Sequence, residues 1–301
     1  MTDNPKIAAI ILNTNKKHDT LECLGSLLAC QYPNLNIIVL DNASTDGSNA
    51  AIADQYPNVE IVPIVENKGY AGNNNVGIQY ALRQNPDWLF ILNEDIVFDK
   101  NTLNIMMSSV INLPRAGIIG PLVFHHSEPD IIQSAGGVLD ENWDSVHLSQ
   151  NDKNKNQYQS PEERDWISGC AIGVRREALQ QAGLIDERFF YYWEETEWCL
   201  RIRASGWKAY IIPQAHIWHK GVQRFYKPTP NVTYYATRNR LLLFKIHHPP
   251  LKVWLSTSLY FIRTLLSWSI KPKWRDMQAN RDAMWQGIND YIFQRWGMRN
   301  L

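Results

Sequence analysis

Cysteine is scarce in this chain, and the four present, Cys23, Cys30, Cys170 and Cys199, form no CxxC pair and no ligand-like spacing. That disfavours a disulfide framework and a zinc site, and a reducing compartment fits better. The N-terminus, Met1-Thr2-Asp3-Asn4-Pro5-Lys6, runs straight into a strand-like stretch without the shape of a signal peptide. Long uncharged apolar runs are also missing. The best candidate, Leu251 to Ile270, carries Lys252 and Arg263 and makes a poor transmembrane span. No internal repeat is evident. Net charge is zero, but residues 1–219 hold 16 Lys/Arg against 27 Asp/Glu, while residues 220–301 hold 14 against 3. So basic a tail meets something anionic: a membrane surface, a lipid diphosphate, nucleic acid or the chain's own acidic part.

What is present is enough for a core. Hydrophobic residues make up 45 % of the 301, which excludes disorder throughout and allows one large domain, or one with an appendage. Short apolar runs bounded by polar residues predict buried parallel strands at Ile7–Leu12, Asn36–Leu40, Val59–Pro63 and Trp88–Leu92. Helices are predicted between them: one capped by Asp19 with Leu21, Leu24, Leu27 and Leu28 on its apolar positions, one after the turn Ser44–Ser48, and one from Asn75 to Arg83. Strand alternating with helix implies an α/β fold with a mostly parallel sheet and right-handed crossovers. Further on, a strand is expected at Ile118–Val123, a mobile polar loop at Gln150–Glu163, and a strand at Asp165–Val174 whose glycine permits close backbone approach. A helix from Arg175 to Ala182 closes at Gly183. From about residue 233 the pattern is helical.

Several residues could carry chemistry. The run Trp88–Leu92 ends in Asn93-Glu94-Asp95, delivering a carboxylate to the carboxyl end of a buried strand, where open α/β sheets bind ligands. Asp95 is a hard oxygen ligand suited to a Mg²⁺ or Mn²⁺ that also holds a diphosphate. Asp41 ends another strand and either accepts the imide N–H of uracil or thymine or caps a turn. Glu66–Asn75 combines glycines and amide side chains ahead of a helix, so it forms either a phosphate-cradling segment or a plain turn. Glu194, Glu195 and Glu197 follow Phe189-Phe190-Tyr191-Tyr192-Trp193. Flanking aromatics desolvate a carboxylate and raise its pKa toward a base's working range, although acidic residues also suit a helix start. His219 is a lone histidine at a strand end, and it is a ligand or a structural residue. One cluster able to hold a metal-diphosphate and another able to supply a base together suggest sugar transfer from a nucleotide donor.

These motifs, in this order, resemble the family 2 glycosyltransferases, in particular the bacterial rhamnosyltransferase-like branch with the GT-A fold, over residues 7–245. The resemblance rests on Ile11–Asn15, Asp41–Gly47, Asn67–Asn75, Asn93-Glu94-Asp95, Gly183–Phe190 leading into Glu194-Glu195, His219, and Tyr234–Asn239. It implies a nucleotide-diphospho-sugar transferase domain over residues 1–225 and a basic, aromatic-rich helical region over 226–301. By the same resemblance Glu195 is the catalytic base, and Asp95 and His219 hold the metal, Mg²⁺ or Mn²⁺. Thr14, Asn15, Asp41, Asn67, Gly69, Asn74, Asn93, Glu94 and Gly169 line the nucleotide-sugar site, with Glu194 and Trp193 on the acceptor side. Asn93 stands in place of the first aspartate of the metal motif, and Glu195 stands where aspartate is usual, its carboxylate moved by one methylene.

The implied activity is inverting transfer from dTDP-rhamnose or a UDP-hexose to a glycan or lipid-linked acceptor in bacterial surface polysaccharide synthesis. Two other readings are a nucleotide-sugar-binding protein that turns over weakly and a sugar-phosphate nucleotidyltransferase. The latter usually needs a glycine-rich basic loop, and Asn13-Thr14-Asn15-Lys16-Lys17 has the lysines without a glycine. Expected partners are the donor, the acceptor, an anionic membrane surface met by the Leu251–Ile270 helix, or a second copy through the C-terminal helices, but no nucleic acid. Expected placement is cytoplasmic, peripheral on the inner face of the plasma membrane.

Overall fold

The computed structural model describes residues 4–221, 224 and 227–300. Met1–Asp3 and the predicted domain boundary at 225/226 lie outside the described residues. The chain runs β1 (Ile7–Asn13), α1 (Lys17–Leu28), β2 (Leu35–Asp41), α2 (Ser48–Gln55), β3 (Glu60–Pro63), α3 (Gly69–Leu82), β4 (Trp88–Asn93), β5 (Ile96–Phe98), α4 (Thr102–Val110) and β6 (Ala116–His125). Short strands β7 (Ile132–Ser134), β8 (Gly137–Leu139), β9 (Ser145–His147) and β10 (Glu162–Arg164) precede β11 (Ala171–Arg175) and α5 (Arg176–Ala182). Then come α6 (Glu194–Ala204), β12 (Lys208–His219) and three helices, α7 (Pro230–His247), α8 (Leu251–Ile270) and α9 (Gln278–Ile292).

The main sheet is ordered β10-β12-β6-β11-β4-β1-β2-β3, with β5 on β12 and β7 on β6. Strands β1 to β4 pair parallel, whereas β11 runs antiparallel to both β4 and β6. Alternation along β1 divides the core in two. Ile7 joins Ala9 and Ile11 against α1 and α4, and Ala8 with Ile10 turns toward α3, α5 and α6. Register does the functional work: Asn13 lies opposite Asp41, and Leu12 opposite Asn93, so the polar ends of three parallel strands share one edge. His219 ends β12 opposite Ile96, just past Asp95.

Local expectations needed correction in four places. Asp19 does not cap α1, which starts at Lys17. It sits inside the first turn, and its carboxylate accepts a hydrogen bond from Lys220 Nζ at 2.8 Å. Helix α3 begins at Gly69, not Asn75, because two asparagines cap it: Asn67 Oδ1 accepts from the Gly69 amide (3.0 Å) and Asn73 Oδ1 from the Lys68 amide (2.9 Å). The strand expected from Asp165 starts only at Ala171, after a turn through Gly169 and Cys170. The polar stretch 150–163 ends as β10 and is tied down midway, Tyr158 Oη lying 2.8 Å from Ser149 Oγ with the Arg164 guanidinium over its ring.

Candidate functional site

The metal side is built on the ends of β4 and β12. Asp95 Oδ1 lies 3.1 Å from His219 Nε2, and Asn93 Nδ2 lies 3.4 Å from the same nitrogen. Burial alone would raise the Asp95 carboxyl, but His219 and Lys16 together with its own amide hold it below the ordinary value. The amide of Gln133, on β7, lies 3.0–3.1 Å from His219 Nδ1. Gln133 fixes the ring so that Nε2 faces Asp95, and in the neutral ring with Nδ1–H donating to Gln133 Oε1 that nitrogen would be free to bind a cation shared with Asp95. A β-carbon added at Gly221 would meet Asp95 Oδ2 at 2.4 Å, so glycine is required where the chain passes the carboxylate.

Among the described residues no three His, Cys, Asp or Glu side chains converge. The donor set still fits a hard divalent cation. Asp95 Oδ1 is buried with no well-formed hydrogen bond, beside an imidazole nitrogen and an amide, and diphosphate oxygens and water would complete the shell. Glu94 is half-buried, and burial, with the Asp95 charge adding, pushes it up to about 7.

On the nucleotide side, the structure shows Asp41 in a turn network. Its Oδ2 accepts from Asn49 Nδ2 (2.7 Å) and its Oδ1 from the Ser44 amide (3.2 Å). Asn15, at φ +52°, accepts the Thr45 amide (2.7 Å), and Thr14 Oγ1 accepts from Asn42 (3.3 Å), both on the exposed rim. Asn13 is the organiser the sequence reading missed: buried, it donates to Ser48 Oγ (2.9 Å) and Ser44 Oγ (3.1 Å) and accepts from Thr20 (2.9 Å). A polar residue closing an apolar strand was the available signal.

On the base side, Glu194 and Glu195 open α6 after a left-handed run, with φ +63° at Phe190, +68° at Tyr192 and +73° at Trp193. Each such non-glycine residue costs roughly 1–2 kcal/mol. Helix α7, started by Pro230 behind the Thr229 cap, holds the run in place. From α7, Asn239 Nδ2 donates to the carbonyls of Phe189, Tyr191 and Tyr192, each at 2.8 Å, and Arg238 donates to those of Arg188 (3.1 Å) and Phe189 (3.0 Å). Across the loop, Gly69 at φ +71° approaches so closely that an added β-carbon would lie 2.3 Å from the Phe190 carbonyl oxygen.

Burial raises both glutamates, and Glu194 goes well above the ordinary value because the Glu195 charge adds to it. The two carboxyls titrate as a raised pair, and Glu195 is the member that adjoins the Gly169 turn. Glu197 is bound to Arg201 (2.9 Å) and lies 3.4 Å from His247, which makes it structural. The Gly169 carbonyl accepts from Tyr70 Oη at 2.6 Å, and a β-carbon at Gly169 would lie 3.5 Å from that of Glu195. One residue on, the Cys170 carbonyl accepts from the Asn93 amide (2.9 Å), so a single turn joins the base side to the metal side.

Asn13, Asp41, Asn93, Glu94, Asp95 and His219 thus lie at or just past strand ends of the sheet, and Glu195, at the start of α6, adjoins them through the Gly169 turn. Four other expected site residues make contacts within the fold. Asn67 and Gly69 spend their polar groups on starting α3, so the Lys68 and Gly69 amides are not open to a phosphate. Trp193 packs against the cluster of Phe189, Leu242 and Phe244. Asn74 is buried, its Oδ1 without a hydrogen bond while its Nδ2 donates to the Tyr70 carbonyl. Gln133 and the carbonyl clamp of Asn239 were not foreseen. Asn239→Ala is expected to lower turnover about tenfold or more and to remove about 1–3 kcal/mol of stability, since buried carbonyls lose their donor. Steady-state kinetics with chemical denaturation measure both, and unchanged turnover would show that the clamp does not position Glu195.

Comparison with known proteins bears on this geometry. The family model described as glycosyl transferase family 2 matches residues 8–183. An N-acetylglucosaminyl-diphospho-decaprenol L-rhamnosyltransferase of Mycobacterium tuberculosis is 30 % identical over 218 residues, 65 % of this chain and 70 % of its own. The dTDP-rhamnosyl transferase RfbF of Shigella flexneri is 24 % identical over 259 residues, 82 % of this chain and 83 % of its own. Among solved structures, a mannosyltransferase of Pyrobaculum calidifontis in complex with GDP-Man and Mn²⁺ is similar in fold, with a TM-score of 0.60 at 14 % identity over 98 % of this chain and 89 % of that one. With its GT-A architecture and a family match across more than half its length, this chain belongs to glycosyl transferase family 2.

Proposed function

We propose that the chain is a metal-dependent inverting glycosyltransferase that moves a sugar from a nucleotide-diphosphate donor, dTDP-rhamnose or a UDP-hexose, to a hydroxyl of a glycan or lipid-linked acceptor in bacterial surface polysaccharide synthesis. The observation that carries it is the Gly169–Cys170 turn, which places the desolvated Glu195 beside the strand end bearing Asn93 and Asp95. The two rhamnosyltransferase relatives support rhamnose, and the mycobacterial one supports a lipid-diphosphate acceptor.

In this reading the nucleoside lies over the ends of β1 and β2, at Thr14, Asn15 and Asp41. Asp95 and His219, with Asn93 beside them, would hold Mg²⁺ or Mn²⁺, which when bound offsets the charge developing on the leaving diphosphate. Glu195 takes the proton of the acceptor hydroxyl as its oxygen attacks the anomeric carbon from the face opposite the diphosphate. One displacement inverts the centre and needs no enzyme nucleophile. The raised Glu194 carboxyl opposes a second negative charge beside the base. Peripheral contact with an anionic membrane, or pairing of two chains through the C-terminal helices, belongs to the same reading, and nucleic acid takes no part.

A thermal-shift screen of UDP-, dTDP- and GDP-sugars with Mn²⁺ tests the donor. Stabilisation by a dTDP- or UDP-sugar is expected, and a response to GDP-sugars alone contradicts the assignment. The pH dependence follows from the raised Glu195 carboxyl. A protonated base cannot accept, so kcat/KM should rise with pH through an apparent pKa above about 4.3, the ordinary glutamate value. A flat profile down to pH 4 would remove Glu195 from the role of base.

A further inference from the structure

Helix α8 is apolar on two faces, and the protein covers only one. Val253, Thr257 and Phe261 are buried, and α8 packs on α9. On the other side Leu251, Leu255, Leu259, Ile262, Leu266 and Ile270 recur every three or four residues as one continuous stripe, each between 55 and 73 % exposed. Isolated exposed leucines need no explanation, but six aligned along a helix of 20 residues form a patch about 30 Å long.

The charges beside the stripe indicate what covers it. Lys252 and Arg263 lie along its border, and Lys271, Lys273 and Arg275 follow its C-terminal end. Residues 251–275 contain no Asp or Glu at all. A partner helix of a second copy would bring the same five cations against each other, whereas an anionic lipid surface accepts the apolar stripe and neutralises them together. Long basic side chains at the border of such a stripe can bury their stems and keep their heads among phosphates. Among the described residues no helix is long and apolar enough to cross a membrane.

We infer that the outward stripe of α8 is the membrane-facing surface of the protein, embedded at the headgroup level of an anionic bilayer. This rests on the peripheral-membrane part of the proposed function and assigns it to one helix face. It would hold the site against the surface from which a lipid-linked hydroxyl is presented.

Co-sedimentation of the full chain with vesicles of phosphatidylglycerol and phosphatidylcholine, against phosphatidylcholine alone, tests it. Light scattering of the free protein and a soluble-donor hydrolysis assay run in parallel. Binding to the anionic vesicles is expected, at least tenfold stronger than to the neutral ones and lost at high salt. The double variant Leu255→Glu, Ile262→Glu should lose it at least tenfold while hydrolysing donor normally, and Lys271→Glu with Lys273→Glu should weaken it. Absence of binding to anionic vesicles overturns the inference. So does a dimer that the same leucine and isoleucine changes dissociate, because the stripe would then be a protein interface. Failure of donor hydrolysis with vesicle binding intact would instead count against the proposed transfer and leave the stripe's assignment standing.

Discussion

Replacing Glu195 with glutamine should cut transfer by about 10²-fold or more while leaving donor affinity nearly unchanged, the usual scale for loss of a general base. The amide keeps the size of the side chain beside Gly169 and Tyr70, so the loop and α6 should survive the change. What is lost is the proton acceptor. The neighbouring carboxylates supply controls. Burial and the Glu195 charge raise the Glu194 carboxyl, and it is Glu195 that adjoins the Gly169 turn, so Glu194→Gln should change turnover far less. Glu197 is occupied by Arg201 and His247, so Glu197→Gln should lower stability by about 1–3 kcal/mol before it touches chemistry. Glu195→Asp, restoring the residue usual in the resembled family, should retain measurable activity. Steady-state kinetics with donor titration check the set. If Glu194→Gln or Glu197→Gln abolishes turnover while Glu195→Gln does not, the base has been placed one or two residues wrong.

Asp95→Ala should abolish divalent-dependent donor binding. Asp95 Oδ1 is the buried, unsatisfied carboxylate oxygen beside His219 Nε2, and Asn93 offers only an amide in its place. Glu94 does not substitute, because burial, the largest cause of its raised carboxyl, remains in the variant. Asn93→Ala should do less, an amide being a weaker ligand than a carboxylate. Gln133→Ala should fall between, since it frees the His219 ring to rotate, and loss of such an outer partner typically lowers metal affinity about 10–100-fold. Calorimetric titration of a nucleoside diphosphate with and without Mn²⁺ reads all three. Normal Mn²⁺-dependent affinity in Asp95→Ala would remove the metal from this strand end.

The parts legible in the sequence were those written in local pattern. Four apolar runs predicted β1 to β4, and each of the first, second and fourth closed on the polar residue that the register brings to the shared edge, Asn13, Asp41 and Asn93. The relatives bear out the rhamnosyltransferase-like resemblance, and the fold is the GT-A fold it implied. What escaped depended on distant partners. Asn67–Asn75 reads locally as a turn because glycine and asparagine favour turns, yet two of the asparagine side chains cap a helix that lies against the Phe190 loop. Gln133 reaches His219 from 86 residues away, a pairing with no periodic signal. Tyr234–Asn239 was visible only as a resemblance. Its physical role lies in three carbonyls that are aligned only once the chain has entered left-handed backbone at Phe190 and Tyr192.

The most direct test of the central claim is the anomeric configuration of the product, read by nuclear magnetic resonance as dTDP-rhamnose or the preferred UDP-hexose is consumed with an acceptor alcohol. Inversion at the anomeric carbon is the outcome that a single displacement assisted by Glu195 predicts. Retention would contradict it, because retention requires either an enzyme nucleophile or attack from the face the diphosphate leaves.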